Sequence, residues 1–424
     1  MIYERRILSI VAALIQEEPT VLVEGPRTVG KSTMLKAIAV STGAPLLDLD
    51  EPAVRAAVAD DPSTFISVGP PLCIDEYQKA PLVLDAIKAF LNANPTGKGF
   101  LLTGSARHES LPLASQALTG RLHRIRMYPL TQSEIDGSDE NFLESVFNDS
   151  GRAFATYTST STRPEYVLRC ARGGFPMAVE RTAVDQRNRW LDSYIRLTLE
   201  RDVTEISKIR QATLLPRLLT VLAGQTAQVL NVKNVASKLQ MDEKTAGSYV
   251  RLLEAVFLIL LLPGWGKTLS SRATALPKIH VVDSAVAARL LRLTPEKLAK
   301  NSPTALTEFG HLIESFVVGE LLRQASWLDD VAAVGHWRTV DNDEVDLVIE
   351  RGDGQVVAVE VKAGSILSPK DVKPMLKLRE SLGELFHEGI IFTTGSATYT
   401  HPSGLRVVPI DRLWTGGRTV LPLG

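Results

Sequence analysis

The stretch Gly25-Pro26-Arg27-Thr28-Val29-Gly30-Lys31-Ser32 follows the apolar run Thr20-Val21-Leu22-Val23 and opens into Thr33-Met34-Leu35-Lys36-Ala37-Ile38. This succession of strand, glycine-containing loop and helix is the context that a phosphate-binding loop requires. Gly25 and Gly30 let the backbone bend so that successive N–H groups converge on a polyphosphate. The helix start adds unpaired donors and a partial positive charge. Lys31 would reach the β- and γ-phosphates, and the Ser32 hydroxyl would ligate Mg²⁺. Pro26, Arg27, Thr28, Val29 and Thr33 are expected to line the same nucleotide. The cofactors implied are ATP and Mg²⁺.

Two further segments support this reading. Pro70-Pro71-Leu72-Cys73-Ile74-Asp75-Glu76 is a short apolar run that ends in two carboxylates, as a buried parallel strand ending at a nucleotide would. Asp75 would hold the Mg²⁺ directly or through water, and Glu76 would orient and polarise the attacking water. Gly99-Phe100-Leu101-Leu102-Thr103-Gly104-Ser105 is a third apolar strand, and either Thr103 or Ser105 would sense the γ-phosphate.

Strands are expected at 20–24, 45–49, 71–75, 99–103 and 122–128, with helical spacing of Ile7, Ile10, Val11, Leu14 and Ile15 before them. Such alternation argues for an α/β, mostly parallel sheet covered by helices over residues 1–150. Gly, Ser, Thr, Asp and Asn crowd residues 136–165, which reads as a surface loop or boundary. Residues 151–265 read as a helical region holding a helix-turn-helix. Its helices are Val232 to Leu239 and Glu243 to Leu253, and a strand from Val256 to Leu262 would start a wing. In a DNA-reading version Lys244, Thr245, Ser248 and Arg251 would face the major groove. The other reading is a structural module that braces the first domain. The sequence leaves both open.

Residues 266–424 form a third region, with a helix over His311 to Arg323 and strands at 334–338, 344–350 and 355–362. Glu314 lies on the helix, Asp346 on a strand, and Glu360 and Lys362 share one face of the next strand. Clustered carboxylates suit Mg²⁺ or Mn²⁺. Glu314, Asp346 and Glu360 would hold the ion, and Lys362 would position a water or stabilise charge on a phosphodiester. The same residues also fit a strand decorated with salt-bridged charges.

Composition sets the outer limits. The chain has 424 residues, 45% of them hydrophobic, so several domains with sizeable cores are expected. The formal net charge is −1, so attraction to nucleic acid would need a local basic patch. Two cysteines, Cys73 and Cys170, do not make a disulfide framework. No signal-peptide pattern begins the chain, and the longest apolar run, Ala255 to Leu262, is far too short to span a bilayer. A cytoplasmic protein without a membrane partner is the expectation.

The ordered set of motifs resembles the prokaryotic ATP-binding proteins that join an AAA+-type ATPase domain to a C-terminal domain of unknown function related to restriction-endonuclease-like folds. The resemblance rests on GPRTVGKS (25–32), LDLDEP (47–52), LCIDEYQKAP (72–81), LLTGSA (101–106), LTGRL (118–122), GGFP (173–176), YIRLTLERDV (194–203), EVDLVIE (344–350) and VEVKAG (359–364). It implies ATP hydrolysis, self-association into a homo-oligomer, and an arginine near a γ-phosphate, with Arg121 or Arg201 as candidates. The reading that follows is an ATPase acting on DNA, in branched-DNA processing, branch migration or defence. Its rival is an ATP-switched regulatory or scaffold protein whose C-terminal domain cuts nothing.

Overall fold

The computed structural model describes residues 3–107, 118–203, 212–268, 271–272, 275–300 and 302–416. The N-terminal region is built on five parallel strands: β1 (Thr20–Glu24), β2 (Leu46–Asp48), β3 (Leu72–Asp75), β4 (Phe100–Gly104) and β5 (Leu122–Arg126). Their order across the sheet is β2-β3-β4-β1-β5. The inner strands β1, β3 and β4 are covered on both faces and carry continuous apolar runs, whereas the edge strand β5 mixes Leu122 and Ile125 with His123, Arg124 and Arg126. Val21 and Val23 enter one core with Cys73 and Leu101, while Leu22 enters another with Ile74 and Leu102. The parallel register brings the C-terminal ends of β1, β3 and β4 together, and the glycine loop, Asp75 and Thr103 emerge there.

The segment expected to be a loop near 136–165 is in part helical. Helices Gln132–Asp136, Phe142–Asn148 and Ser150–Ala153 occupy its first half. Polar residues there act as caps: Asn141 and Asp149 each accept a backbone N–H of the following helix, while Phe142, Leu143 and Val146 are buried. Composition pointed to a loop because capping residues and loop residues are the same types.

The middle region holds the two expected helices, Val232–Leu239 and Glu243–Ala255, and β7 (Ile259–Leu262) after β6 (Gln228–Val229). β8 (Lys278–Val281) pairs antiparallel with both, giving the order β6-β8-β7. This sheet crosses residue 265, where a boundary was expected.

The last region has the helix Pro303–Ala325, a meander of β9 (Val331–Arg338), β10 (Glu344–Arg351) and β11 (Val356–Lys362), then the helix Pro369–Leu382 and β12 (Phe386–Thr393). With β13 (Tyr399–Thr400) and β14 (Arg406–Pro409) the sheet order is β13-β14-β12-β11-β10-β9. β12 runs parallel to β11, and β14 parallel to β12. Among the described residues no helix is long and apolar enough to cross a membrane.

Candidate nucleotide site and C-terminal carboxylate cluster

The glycine loop leaves β1 and turns into the helix Lys31–Thr42. Thr28 and Gly30 take left-handed backbone angles, with φ of 64° and 104°. A Cβ on Gly25 would lie 2.2 Å from the Met127 carbonyl oxygen, so only glycine fits between the loop and the chain leaving β5. Lys31 is buried, and its Nζ donates to the Gly25 and Pro26 carbonyls at 2.8 and 2.7 Å. Burial pushes its ammonium down to about 8, against the opposing pull of Glu76 and Asp75. A cavity of about 800 Å³ opens over the loop. Arg27 through Met34 line it together with Glu76 and Ser105, as do the apolar Leu8, Met177 and Trp190 and the charged Glu4, Arg5 and Glu180.

The carboxylates sit under this cavity in a web of hydroxyls. Thr103 Oγ1 donates to Asp75 and accepts the Glu76 backbone N–H at 3.3 Å. Ser105 Oγ donates to Glu76 Oε1 at 2.6 Å, and Gln78 Nε2 donates to Glu76 Oε2. Glu76 itself is left-handed, with φ of 52°, which swings its side chain off the strand end. The Ser32 hydroxyl and Asp75 carboxylate are hard oxygen donors of the kind Mg²⁺ takes alongside phosphate oxygens. The residues present therefore fit a Mg²⁺–nucleotide.

Two residues that sequence reasoning passed over hold the loop in shape. Arg5 donates to the Val29 carbonyl at 2.6 Å, the Tyr128 carbonyl at 2.7 Å and Glu134 at 3.0 Å. Asp202 is buried and forms an ion pair with Arg27 at 2.6 Å. Asp202 ends the π-helical stretch Thr198–Asp202, so the LERDV run meets the phosphate loop through its aspartate, while Arg201 is exposed. The signals available were an arginine pair directly before an amphipathic helix, and an acidic residue beside the arginine that drew attention. Arg121 lies elsewhere. Leu122 pairs with Thr20, at the start of β1, whereas the loop leaves after Glu24. The length of β1, about 16 Å, separates Arg121 from its own chain's loop. Arg121 instead donates to Asn92 at 2.8 Å.

Asn231 and Asp242 cap the helices Val232–Leu239 and Glu243–Ala255, and Gln240 takes φ of 53° in the turn between them. Lys233, Lys238, Lys244 and Arg251 are exposed. Thr245 Oγ1 donates to Asp242 and Ser248 Oγ to the Lys244 carbonyl.

The C-terminal carboxylates converge, but on an ammonium. Lys278 Nζ, from β8, lies 2.8 Å from Glu314, 2.5 Å from Glu344 and 2.9 Å from Asp346. Its side chain is 0% exposed. Asp346 Oδ2 accepts the Val361 backbone N–H at 2.9 Å. Glu360 is set apart, paired at 2.7 Å with Lys362, which also reaches Asp371 at 3.3 Å. Burial, with the Asp346 charge second, pushes Glu360 up to about 8. Burial opposes the charge of Lys278, yet Asp346, Glu314 and Glu344 outweigh it and raise its pKa. Burial also raises Glu314 well above the carboxylate range. The expectation that Glu314, Asp346 and Glu360 surround a metal is corrected in this respect: Glu314 and Asp346 meet, with Glu344, on a lysine from the neighbouring sheet, and Glu360 is paired with Lys362. Among the described residues no group of three or more His, Cys, Asp or Glu is arranged to hold a metal ion. The signal for Lys278 was a charged residue inside the apolar strand Lys278-Ile279-His280-Val281.

Residues 17–136 match the AAA domain family, in keeping with the P-loop NTPase-like parallel sheet of the first region. Residues 163–297 and 309–413 match two domains of unknown function, DUF8612 and DUF4143. The uncharacterized proteins Mb2031c of Mycobacterium bovis and Rv2008c of Mycobacterium tuberculosis are each 25% identical over 399 residues, 94% of this chain and 82% of theirs. Among solved structures, the Walker-type ATPase of Pyrococcus abyssi overlaps 68% of this chain and 96% of its own, at 14% identity and a TM-score of 0.40. The Thermotoga maritima RuvB Holliday junction branch migration motor overlaps 61% and 89%, at 16% identity and a TM-score of 0.29.

Proposed function

We propose that this chain is an ATP-hydrolysing AAA-type switch. The observation that carries the proposal is that Lys31 and Glu76 line one cavity of about 800 Å³ while the buried Asp75 lies close enough to act on the Lys31 charge. The loop N–H groups and Lys31 bind the phosphates, which draws Lys31 off the Gly25 and Pro26 carbonyls. Ser32 and Asp75 would hold Mg²⁺, which would supply charge neutralisation to the phosphates. Glu76, steadied by Ser105 and Gln78, accepts a proton from the attacking water. The apolar side chains of Trp190 and Met177 take the base. Arg121, remote from its own loop, serves a neighbouring copy's nucleotide in a homo-oligomer.

DNA is the proposed partner, in the cytoplasm. The support is the exposed basic set Lys233, Lys238, Lys244 and Arg251 on a helix-turn-helix. The C-terminal strand order supports reading that region as restriction-endonuclease-like. The second reading, a regulatory scaffold whose C-terminal domain does not cleave, is favoured by Lys278 in the carboxylate cluster.

The test is ATP hydrolysis with Mg²⁺, with and without duplex, single-stranded and four-way-junction DNA, followed on gels for cleavage. Lys31→Ala is expected to remove hydrolysis, and Glu76→Gln to lower turnover by at least about 100-fold while ATP still binds. Stimulation by one DNA form that is lost in Lys244→Ala/Arg251→Ala supports DNA action. Hydrolysis indifferent to every DNA supports the scaffold, and no hydrolysis by the intact protein sinks both.

A further inference from the structure

Lys278 has a setting that surface lysines do not share. Its ammonium carries three N–H donors, and three carboxylates lie within 2.5–2.9 Å of it. The donors are saturated and the group is sealed from solvent. Around it, Asp346 commits its second oxygen to the Val361 N–H, and Glu360 turns to Lys362. Glu344 also receives Arg338 at 3.2 Å. A magnesium-sized ion demands near-octahedral oxygens at roughly 2.1 Å and keeps several waters. With Lys278 in place there is no room for that shell, so these residues do not fit a divalent metal.

The origin of the lysine matters as much as its position. β8 belongs to the three-stranded sheet whose strands flank the helices Val232–Leu239 and Glu243–Ala255, whereas Glu314 lies on Pro303–Ala325, and Glu344 and Asp346 lie on β10. The same seam carries main-chain contacts: the Trp265 N–H donates to the His336 carbonyl at 2.6 Å, and the His336 N–H donates to the Pro263 carbonyl at 2.9 Å. Removing one partner of a buried ion cluster leaves a charge uncompensated, so separating its two sides without a replacement charge is costly.

We infer that Lys278 is the resident cation of the C-terminal carboxylate cluster, which is thereby an ionic latch between the middle sheet and the C-terminal domain and not a metal centre. The inference does not rest on ATP hydrolysis. Because the latch crosses modules, withdrawal of β8 would be required before any other cation could enter.

The test uses the full chain without nucleotide, in an Asp75→Asn background that removes the carboxylate expected to hold the nucleotide-site metal. Mn²⁺ is titrated to 1 mM (about the intracellular scale of divalent ions) and its binding followed by electron paramagnetic resonance. With Lys278 intact, no Mn²⁺ is expected at the cluster. Lys278→Met is expected to gain one Mn²⁺ site, lost again when Asp346→Asn is added. Spin labels at Lys238→Cys and Lys370→Cys, both exposed, read the latch, since Cys73 and Cys170 are buried. Their distance distribution is expected to broaden in Lys278→Met. Mn²⁺ bound with Lys278 intact and lost on Asp346→Asn would overturn the inference, and this arm decides even where Lys278→Met does not fold. A folded Lys278→Met chain that gains no Mn²⁺, or whose label distances are unchanged, would overturn it too.

Discussion

Lys31 shows how one residue's environment sets the conditions for binding. In the nucleotide-free loop its ammonium is buried among carbonyls and titrates near 8. A polyphosphate favours the charged form, so nucleotide binding carries a proton onto Lys31 whenever it is neutral beforehand. Affinity for ATP is therefore expected to be flat below pH 7 and to fall toward tenfold per unit above pH 8. Isothermal titration across pH 6.5–9.5 checks this, with proton uptake read from buffers of different ionisation enthalpy. A flat affinity through pH 9.5 would refute it. At this scale the sequence was most legible for residues whose chemistry depends on local order, namely Gly25 to Ser32, Asp75 and Glu76. It was least legible for Arg5, Asp202 and Lys278, whose partners lie 24 to 129, 175 and 36 to 68 positions away. No local periodicity records such pairings.

Among the elements, β8 is the most informative. Alternation puts Lys278 and His280 on one face, where the first meets Glu314 and the second lies 3.0 Å from the Ser315 hydroxyl. Burial, with the Lys278 charge second, pushes His280 down to about 3. An unfolded histidine titrates near 6.5. Between these values the unfolded chain binds the proton and the folded one does not, so stability is complete above about pH 6.5 and declines as pH falls. Glu320 acts in the opposite sense, since burial pushes it up to about 7 and the folded chain then holds its proton through the same window. Comparing the protein with His280→Gln isolates the histidine. The wild type is expected to lose up to about 1.4 kcal/mol more per pH unit than the variant on going from pH 6.5 to 5.5 in urea denaturation. Equal slopes would show that His280 is protonated in the fold. Strand β8 itself was hard to read from sequence, because a lysine and a histidine in four residues look like a solvated edge. The inner strands β1, β3 and β4 of the first sheet were readable to within two residues because both their faces are apolar.

The segment that composition marked as a boundary ties into the C-terminal region. The Ser159 N–H donates to the Ser396 carbonyl at 2.7 Å, and Thr158 bridges Ala397. Tyr157 Oη and Ser159 Oγ both donate to Asp411. Arg412, buried, donates to the carbonyls of Arg152 and Ala153, each at 2.9 Å. Asp411→Ala would leave two hydroxyls without their charged acceptor and is expected to cost about 3 kcal/mol. Urea unfolding measures that loss, and a change below about 0.5 kcal/mol would contradict the arrangement.

The helix Pro303–Ala325 deserves a last thought as a ruler. At Glu314 it touches Lys278; at Glu320 it accepts the Gln132 N–H; at Gln324 it accepts the Leu143 N–H. Ten residues of α-helix fix these ends about 15 Å apart and fix the direction each one faces. One residue added between Glu314 and Glu320 would turn the two ends about 100° out of phase without changing any side chain that touches a partner. The spacing is thus a molecular dimension in its own right, and a chain could keep every charged residue and still lose the connection.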